Sequence, residues 1–229
     1  MRPLVALALS LASLPALAQD APAEPTEAAA AEVAPVPPTT TYRLQPSGSD
    51  VYVVIRNDTD ATLARLGHDH VIYASDFEGT VTWPNTPDAS CSIDIRVPVN
   101  QLTVDPGSTR DKAGLDDNTI DDGDKAKLKK NMWSKSQLRA TDYPAVVFNS
   151  TSCDGTGGKV TVSGTLTVRG VSQPVSLTMD VSADGSAFSA KGSFDTSHTA
   201  FGFKPFAATA LGPRNQDRLS FVVQVVGAK

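Results

Sequence analysis

Residues Gly158–Val181 read G-K-V-T-V-S-G-T-L-T-V-R-G-V-S-Q-P-V-S-L-T-M-D-V, and this stretch decides the fold class. It predicts two antiparallel strands joined by a turn. Val160, Val162, Leu166 and Val168 share one side of the first strand, and Thr161, Ser163, Thr165 and Thr167 share the other. In the second, Val175, Leu177, Met179 and Val181 alternate with Ser176, Thr178 and Asp180. Successive strand side chains point to opposite faces, so each strand has one apolar and one wet face. The turn is expected over Arg169–Pro174, where Gly170 can take a positive φ and Pro174 ends the loop.

The same pattern recurs on both sides. Tyr42–Leu44 and Val51–Arg56 read as two strands separated by the turn Pro46–Ser49. Val71–Trp83 reads as one extended segment, with Phe77, Val81 and Trp83 on one face. Cys91, Ile93, Ile95, Val97 and Val99 alternate with Ser92, Asp94, Arg96, Pro98 and Asn100, the cleanest amphipathic strand in the chain. Val104–Asp121 is polar and predicted to be a long loop. Asp122–Leu138 is predicted to form one helix, with Leu128 and Met132 four residues apart. Further strands are expected at Ala145–Cys153, around Phe188 and Ala190, and through Leu219–Val226. Sequential antiparallel strands with one wet face make a barrel or a sandwich. An eight-stranded barrel is either filled by side chains or holds one small ligand.

The chain has 229 residues and a formal net charge of −5, with 20 basic and 25 acidic side chains. That mild acidity gives no footprint for nucleic acid. Residues 1–18 read as an export signal: Arg2, an apolar run from Leu4, and Ala16-Leu17-Ala18 as a cleavage site. The run is too short to span a bilayer, so no stable membrane insertion is expected. Residues 19–41, rich in Ala, Pro, Glu and Thr, are expected to form a disordered tether, and residues 42–229 one domain. The expected location is the periplasm. Cys91 opens one predicted strand and Cys153 closes another. If those strands pair antiparallel, the two thiols meet, and export favours a disulfide over two separate buried thiols.

Several short motifs, in order, resemble the YceI-like, polyisoprenoid-binding family. They are Phe77-Glu78-Gly79, Asp142-Tyr143-Pro144 with Phe148, and Gly164–Val171 with Pro174. The match runs from about Tyr42 to Val226. The resemblance implies an all-β, lipocalin-like antiparallel barrel of about eight strands with one short helix inserted. It also implies an apolar tunnel for an isoprenoid chain, with no established enzymatic activity. The chain departs from the family pattern at Arg65, at the Gly67–His70 cluster and at His198.

On that basis the expected ligand-lining residues are Ile93, Ile95, Val97, Phe148, Leu166, Val168, Leu177 and Met179 on strands, and Phe201, Phe203 and Phe206 near the mouth. The alternative is that these side chains simply fill a core. His68, His70 and His198, the chain's 3 histidines, are candidates for the polar end of the site. On extended backbone His68 and His70 share a face and could reach one metal, with His198 adding a third nitrogen in the alternative reading of a metal- or cofactor-dependent enzyme or electron-transfer accessory. Two ligands do not complete a shell, so a head-group or structural role is favoured over metal. Catalysis finds little support, since neither G-x-S-x-G nor H-E-x-x-H occurs. The expected partner is an apolar small molecule, an isoprenoid quinone or polyprenyl-type lipid, with no other cofactor required. Oligomeric state stays open, a homodimer included.

Overall fold

The computed structural model describes residues 39–85, 90–115, 120–156 and 158–229. The expected export signal and nearly all of the expected tether lie outside these residues. Ten strands form a single antiparallel sheet: β1 (Thr39–Asn57), β2 (His70–Ala74), β3 (Glu78–Pro84), β4 (Ser92–Pro98), β5 (Leu102–Val104), β6 (Ala145–Thr156), β7 (Lys159–Val168), β8 (Val171–Ala183), β9 (Ala187–Ser197) and β10 (Asn215–Ala228). Eight of them run β10-β9-β8-β7-β6-β4-β3-β1, and β1 pairs back onto β10 to close a barrel. The other two, β2 and β5, extend the sheet beside the second half of β1.

The opening hairpin forms as its pattern requires. Val160, Val162, Leu166 and Val168 are all buried on β7, and Leu177 and Met179 are buried on β8. The turn, however, is two residues, not six. Val168 pairs with Val171, and Arg169 and Gly170 both take positive φ, 55° and 75°. That is the primed turn whose twist matches the strands. Val171–Pro174 therefore belong to β8, and Pro174 pairs with Thr165. The β8–β9 ladder starts only at Met179, so Pro174 sits on an edge, where a missing N–H is tolerated. A Cβ on Gly170 would lie 2.3 Å from the Tyr143 ring. Gly170→Ala is thus expected to cost about 1–2 kcal/mol from left-handed backbone alone, read as a lower urea midpoint; an unchanged midpoint would contradict this turn.

Tyr42–Leu44 and Val51–Arg56 are one strand, not two. The register of β1 against β10 shifts between Gln45 and Asp50, which absorbs the segment read as a turn. Ser49 makes this possible. Its hydroxyl donates to Gln45 O at 2.6 Å and accepts from Val226 N at 3.0 Å, replacing ladder bonds that the irregularity removes. The shift also switches parity. Before it, Tyr42 and Leu44 face inward; after it, Val51, Val53, Ile55 and Asn57 do.

Other boundaries move as well. Val71–Trp83 divides into β2 and β3 at the bend Ser75–Phe77. The expected loop Val104–Asp121 holds a short helix, α1 (Gly107–Lys112). The expected helix, α2, covers Asp122–Trp133 only. Asp121 caps it by accepting from Asp124 N at 2.8 Å, and Ser134 turns extended at its other end. Strand β6 runs on to Thr156, and β1 begins at Thr39, inside the stretch read as tether.

The barrel has two unlike ends. At the end where β3 stops and β4, β7 and β9 start, the interior is filled. Tyr42 and Phe188 are 1% and 2% exposed, with ring centroids 5.6 Å apart, and Trp83 leans on Phe188 at 5.5 Å. Val81, Ile93, Val160, Val162, Leu177 and Met179 pack above them. Each such side chain contributes about 1.5–3 kcal/mol on burial. Gly164 interrupts the apolar row of β7 because the Phe148 ring lies across it, 2.6 Å from where a Cβ would be. Cys91 and Cys153 are bonded at this same end, with Cα atoms 5.8 Å apart.

Candidate functional site

The other half of the barrel is not filled. A cavity of about 530 Å³ opens there, within the range of sites for drug-sized ligands. Its walls follow from strand parity. They are Val51, Val53 and Ile55 of β1, Ile72 and Ala74 of β2, and Leu219 and Phe221 of β10. Val97, Val146 and Val168 come from β4, β6 and β7, while Leu128 and Met132 of α2 cover one side. The helix packs beside β5, where Trp133 Nε1 donates to Val99 O at 3.3 Å.

The β7–β8 hairpin tip secures the rim. Arg169 donates to Gly202 O and to Lys135 O, both at 3.1 Å, and its guanidinium lies over the Phe203 ring at 5.5 Å. Gln137 Nε2 adds a bond to Lys204 O at 3.2 Å. One arginine thus joins the segment after α2 to the loop that carries the mouth aromatics.

Half of the residues singled out in the sequence line this cavity: Val97, Val168, Phe203, Phe206, His68, His70 and His198. The rest do not. Ile93, Leu177 and Met179 belong to the filled end, with Ile95 and Phe148 packed against it. Leu166 and Phe201 form a separate cluster with Val168 and Phe203 under the rim. Alternation places a side chain inside the barrel but says nothing of its height along the axis, and height separates core from cavity here.

The histidines differ in kind. His70 Nδ1 lies 2.8 Å from Asp105 Oδ2. Asp105 is fully buried and also accepts from Val71 N at 2.8 Å and from Arg110 Nη1 at 3.0 Å. Burial raises its pKa and is the largest single influence. Hydrogen bonds from His70, Val71 N–H and Arg110, with the charge on His70, outweigh it and hold the carboxyl below its usual range. Arg110 in turn donates to Asp69 O at 2.8 Å, while Asp69 turns its carboxylate to Arg56 and Asn57 N. Val71, Val54, Tyr52 and Leu115 make a small apolar cluster on the outer face beside this carboxylate. His198, 3% exposed, has its Nδ1 2.9 Å from Asp217 O and meets the Phe203 ring edge-on at 5.2 Å. Burial pushes its imidazole pKa down, against weaker upward effects of the Asp217 carbonyl and carboxylate.

His70 opens β2, and His68 precedes the strand. Among the described residues, no group of three or more His, Cys, Asp or Glu is placed to hold a metal ion. Neither His70 nor His198 is hydrogen-bonded to a side-chain hydroxyl or thiol among them. Asp105, Arg110 and Arg169 received no role from the sequence. Asp105 stood inside a polar stretch, and only its left-handed backbone, φ 49°, marks it as special. No helix among the described residues is long and apolar enough to cross a membrane.

Comparison with known proteins agrees with this architecture. Residues 42–225 match the YceI-like domain. Protein YceI of Shigella flexneri is 25% identical over 198 residues, covering 82% of this chain and 86% of the relative. Protein YceI of Escherichia coli O6:H1 is 26% identical over 199 residues with the same coverage. The crystal structure of Burkholderia cenocepacia BcnA superposes with a TM-score of 0.57 at 16% identity, covering 80% of this chain and 98% of that one, which is a likeness of fold. With the closed eight-stranded barrel and a domain match over most of its length, the chain belongs to the YceI-like family.

Proposed function

We propose that this protein is an exported, non-enzymatic carrier that holds a long apolar, isoprenoid-type lipid in the open half of its barrel. The observation that carries the reading is the division of the interior. One end is packed solid with aromatic and aliphatic side chains, while the other keeps a largely apolar cavity with some polar groups in its lining. Close packing is the rule for protein interiors, so a retained apolar space of this size is a place for a ligand. A chain longer than the cavity coils within it or extends past the rim, where Leu66 stands 56% exposed. The disulfide and the family membership favour an oxidising compartment and a binding role.

Val168→Trp tests this directly, because Val168 lines the cavity from the end of β7. The new ring takes space that the lipid would occupy. Protein purified from its own host should carry a lipid found by extraction and mass spectrometry, and the variant should carry little. Once delipidated, the two should melt within a few degrees of each other, since overpacking a filled core costs about 1–3 kcal/mol. A wild type without lipid, together with a large drop in melting temperature, would leave only a structural barrel.

A further inference from the structure

We infer that the cavity selects a ligand whose polar end donates a hydrogen bond, a prenyl alcohol or the hydroquinone form of a prenylated quinone, with His198 Nε2 as its acceptor. This inference rests on the lipid-carrier reading. It starts from the tautomer of one ring. The partner of His198 Nδ1 is the Asp217 carbonyl oxygen, which only accepts, so Nδ1 holds the proton. Burial lowers its pKa and so favours the neutral ring. Nε2 is then an acceptor and nothing else. No protein donor reaches Nε2 among the described residues, yet no buried side-chain nitrogen or oxygen lacks a partner. Nε2 is therefore the open edge of a ring that is otherwise enclosed, and the space that the ring borders is the cavity. Edge contact with Phe203 holds it in that orientation.

The rest of the mouth supports the same polarity. The two cationic side chains that line it are each matched by a carboxylate: Arg214 with Asp58 at 2.5 Å and Lys127 with Asp124 at 2.8 Å. Asn57 and Gln137 each commit one amide N–H, to Ala64 O and Lys204 O, and among the described residues no donor reaches their amide oxygens. His70 has its Nδ1 engaged by Asp105. It stands across the mouth from His198, since β2, β1, β10 and β9 are successive neighbours there, about 14 Å along the wall. Asn131 and Asn215 offer both polarities. A prenyl diphosphate entering here meets cations already matched by carboxylates, and a quinone carbonyl placed at His198 meets an acceptor. A hydroxyl completes His198.

The test uses geranylgeraniol, its methyl ether and geranylgeranyl diphosphate, three probes with one chain and different ends, in equilibrium dialysis with the purified protein. The alcohol is expected to bind roughly tenfold more tightly than the ether, the scale of one buried hydrogen bond, and more tightly than the diphosphate. In His198→Phe, which keeps a ring against Phe203, the alcohol-to-ether ratio should fall to about one. Equal binding of alcohol and ether by the wild type overturns the inference, and so does tighter binding of the diphosphate. A ratio that survives in a folded His198→Phe protein also overturns it. If that variant does not fold, the three wild-type affinities decide. Binding of none of the three defeats the carrier reading itself, and the inference with it, so the two failures are distinct.

Discussion

Asp105→Ala is expected to lower the unfolding free energy by about 3–5 kcal/mol, the cost of removing one partner from a buried charged group. The carboxylate is wholly buried and holds three elements together: β2 through Val71 N–H and His70, α1 through Arg110, and the turn after β5 through its own backbone. Its removal leaves the Arg110 guanidinium, 8% exposed, without this anion and gives the left-handed φ to an alanine. Asp105→Asn keeps the shape and tolerates that backbone, so its loss should be smaller. Urea unfolding of both variants ranks them, and equal stability of wild type and Ala variant would defeat the account. Ligand affinity should fall as well in the Ala variant, because His70 borders the cavity and loses its anchor.

The same groups set an acid limit whose sign is determined by their shifts. His198 is held below its unfolded value of about 6.5 by burial. The folded state therefore binds fewer protons, so its contribution is full above pH 6.5 and is lost as pH falls further. Asp105 is held below its unfolded value of about 3.9. Its contribution is full above that value and is lost as pH falls through the lower, folded one. Stability should therefore decline in two stages on acidification. His198→Phe should remove the first stage and Asp105→Asn the second, read from urea midpoints between pH 7 and pH 3.

The barrel was legible because its inward rows are local. Val160–Val168, broken only by Gly164, and Ile93–Val97 alternate, and period two is a property of the strand alone. What was hidden depends on distant partners. Pro46–Ser49 looks like a turn in isolation; it stays within a strand because Ser49 finds Gln45 O and Val226 N, the second 177 residues away. Pro174 looks like the end of a loop; it lies within β8 because β9 does not pair with β8 at that height. The cavity follows the same logic. Val168 and Leu166 share a strand face and one cluster with Phe201, yet only Val168 also lines the cavity, a distinction of height that no periodicity encodes. The mouth aromatics and histidines were visible as residues, whereas the tautomer of His198 and the burial of Asp105 exist only once Asp217 and Val71 are beside them.

Breaking the Cys91–Cys153 bond is expected to cost about 2–4 kcal/mol. The bond spans 62 residues of sequence, so reduction frees a long loop in the unfolded chain. Its position adds a native-state reason. The β4–β6 ladder runs from Pro98 to Asp94 and then stops. Beyond that, Ile93 N–H donates to Ser150 Oγ at 2.7 Å instead of to backbone, and the disulfide follows as the last tie between the two strands. Both cysteines pack against the cluster that fills this end of the barrel, so fraying here would expose Trp83 and Phe188. Cys91→Ser with Cys153→Ser, or reduction of the wild type, should lower the urea midpoint and raise the denaturant slope, because the unfolded chain expands. Amide exchange should quicken first in residues 91–93 and 150–155. The cavity lies in the other half of the barrel, so the affinity of the folded, reduced protein for a prenyl alcohol should stay within about twofold of wild type, as expected for distant, independent sites. An unchanged midpoint on reduction would show that the ladder and the aromatic plug hold this end without the bond.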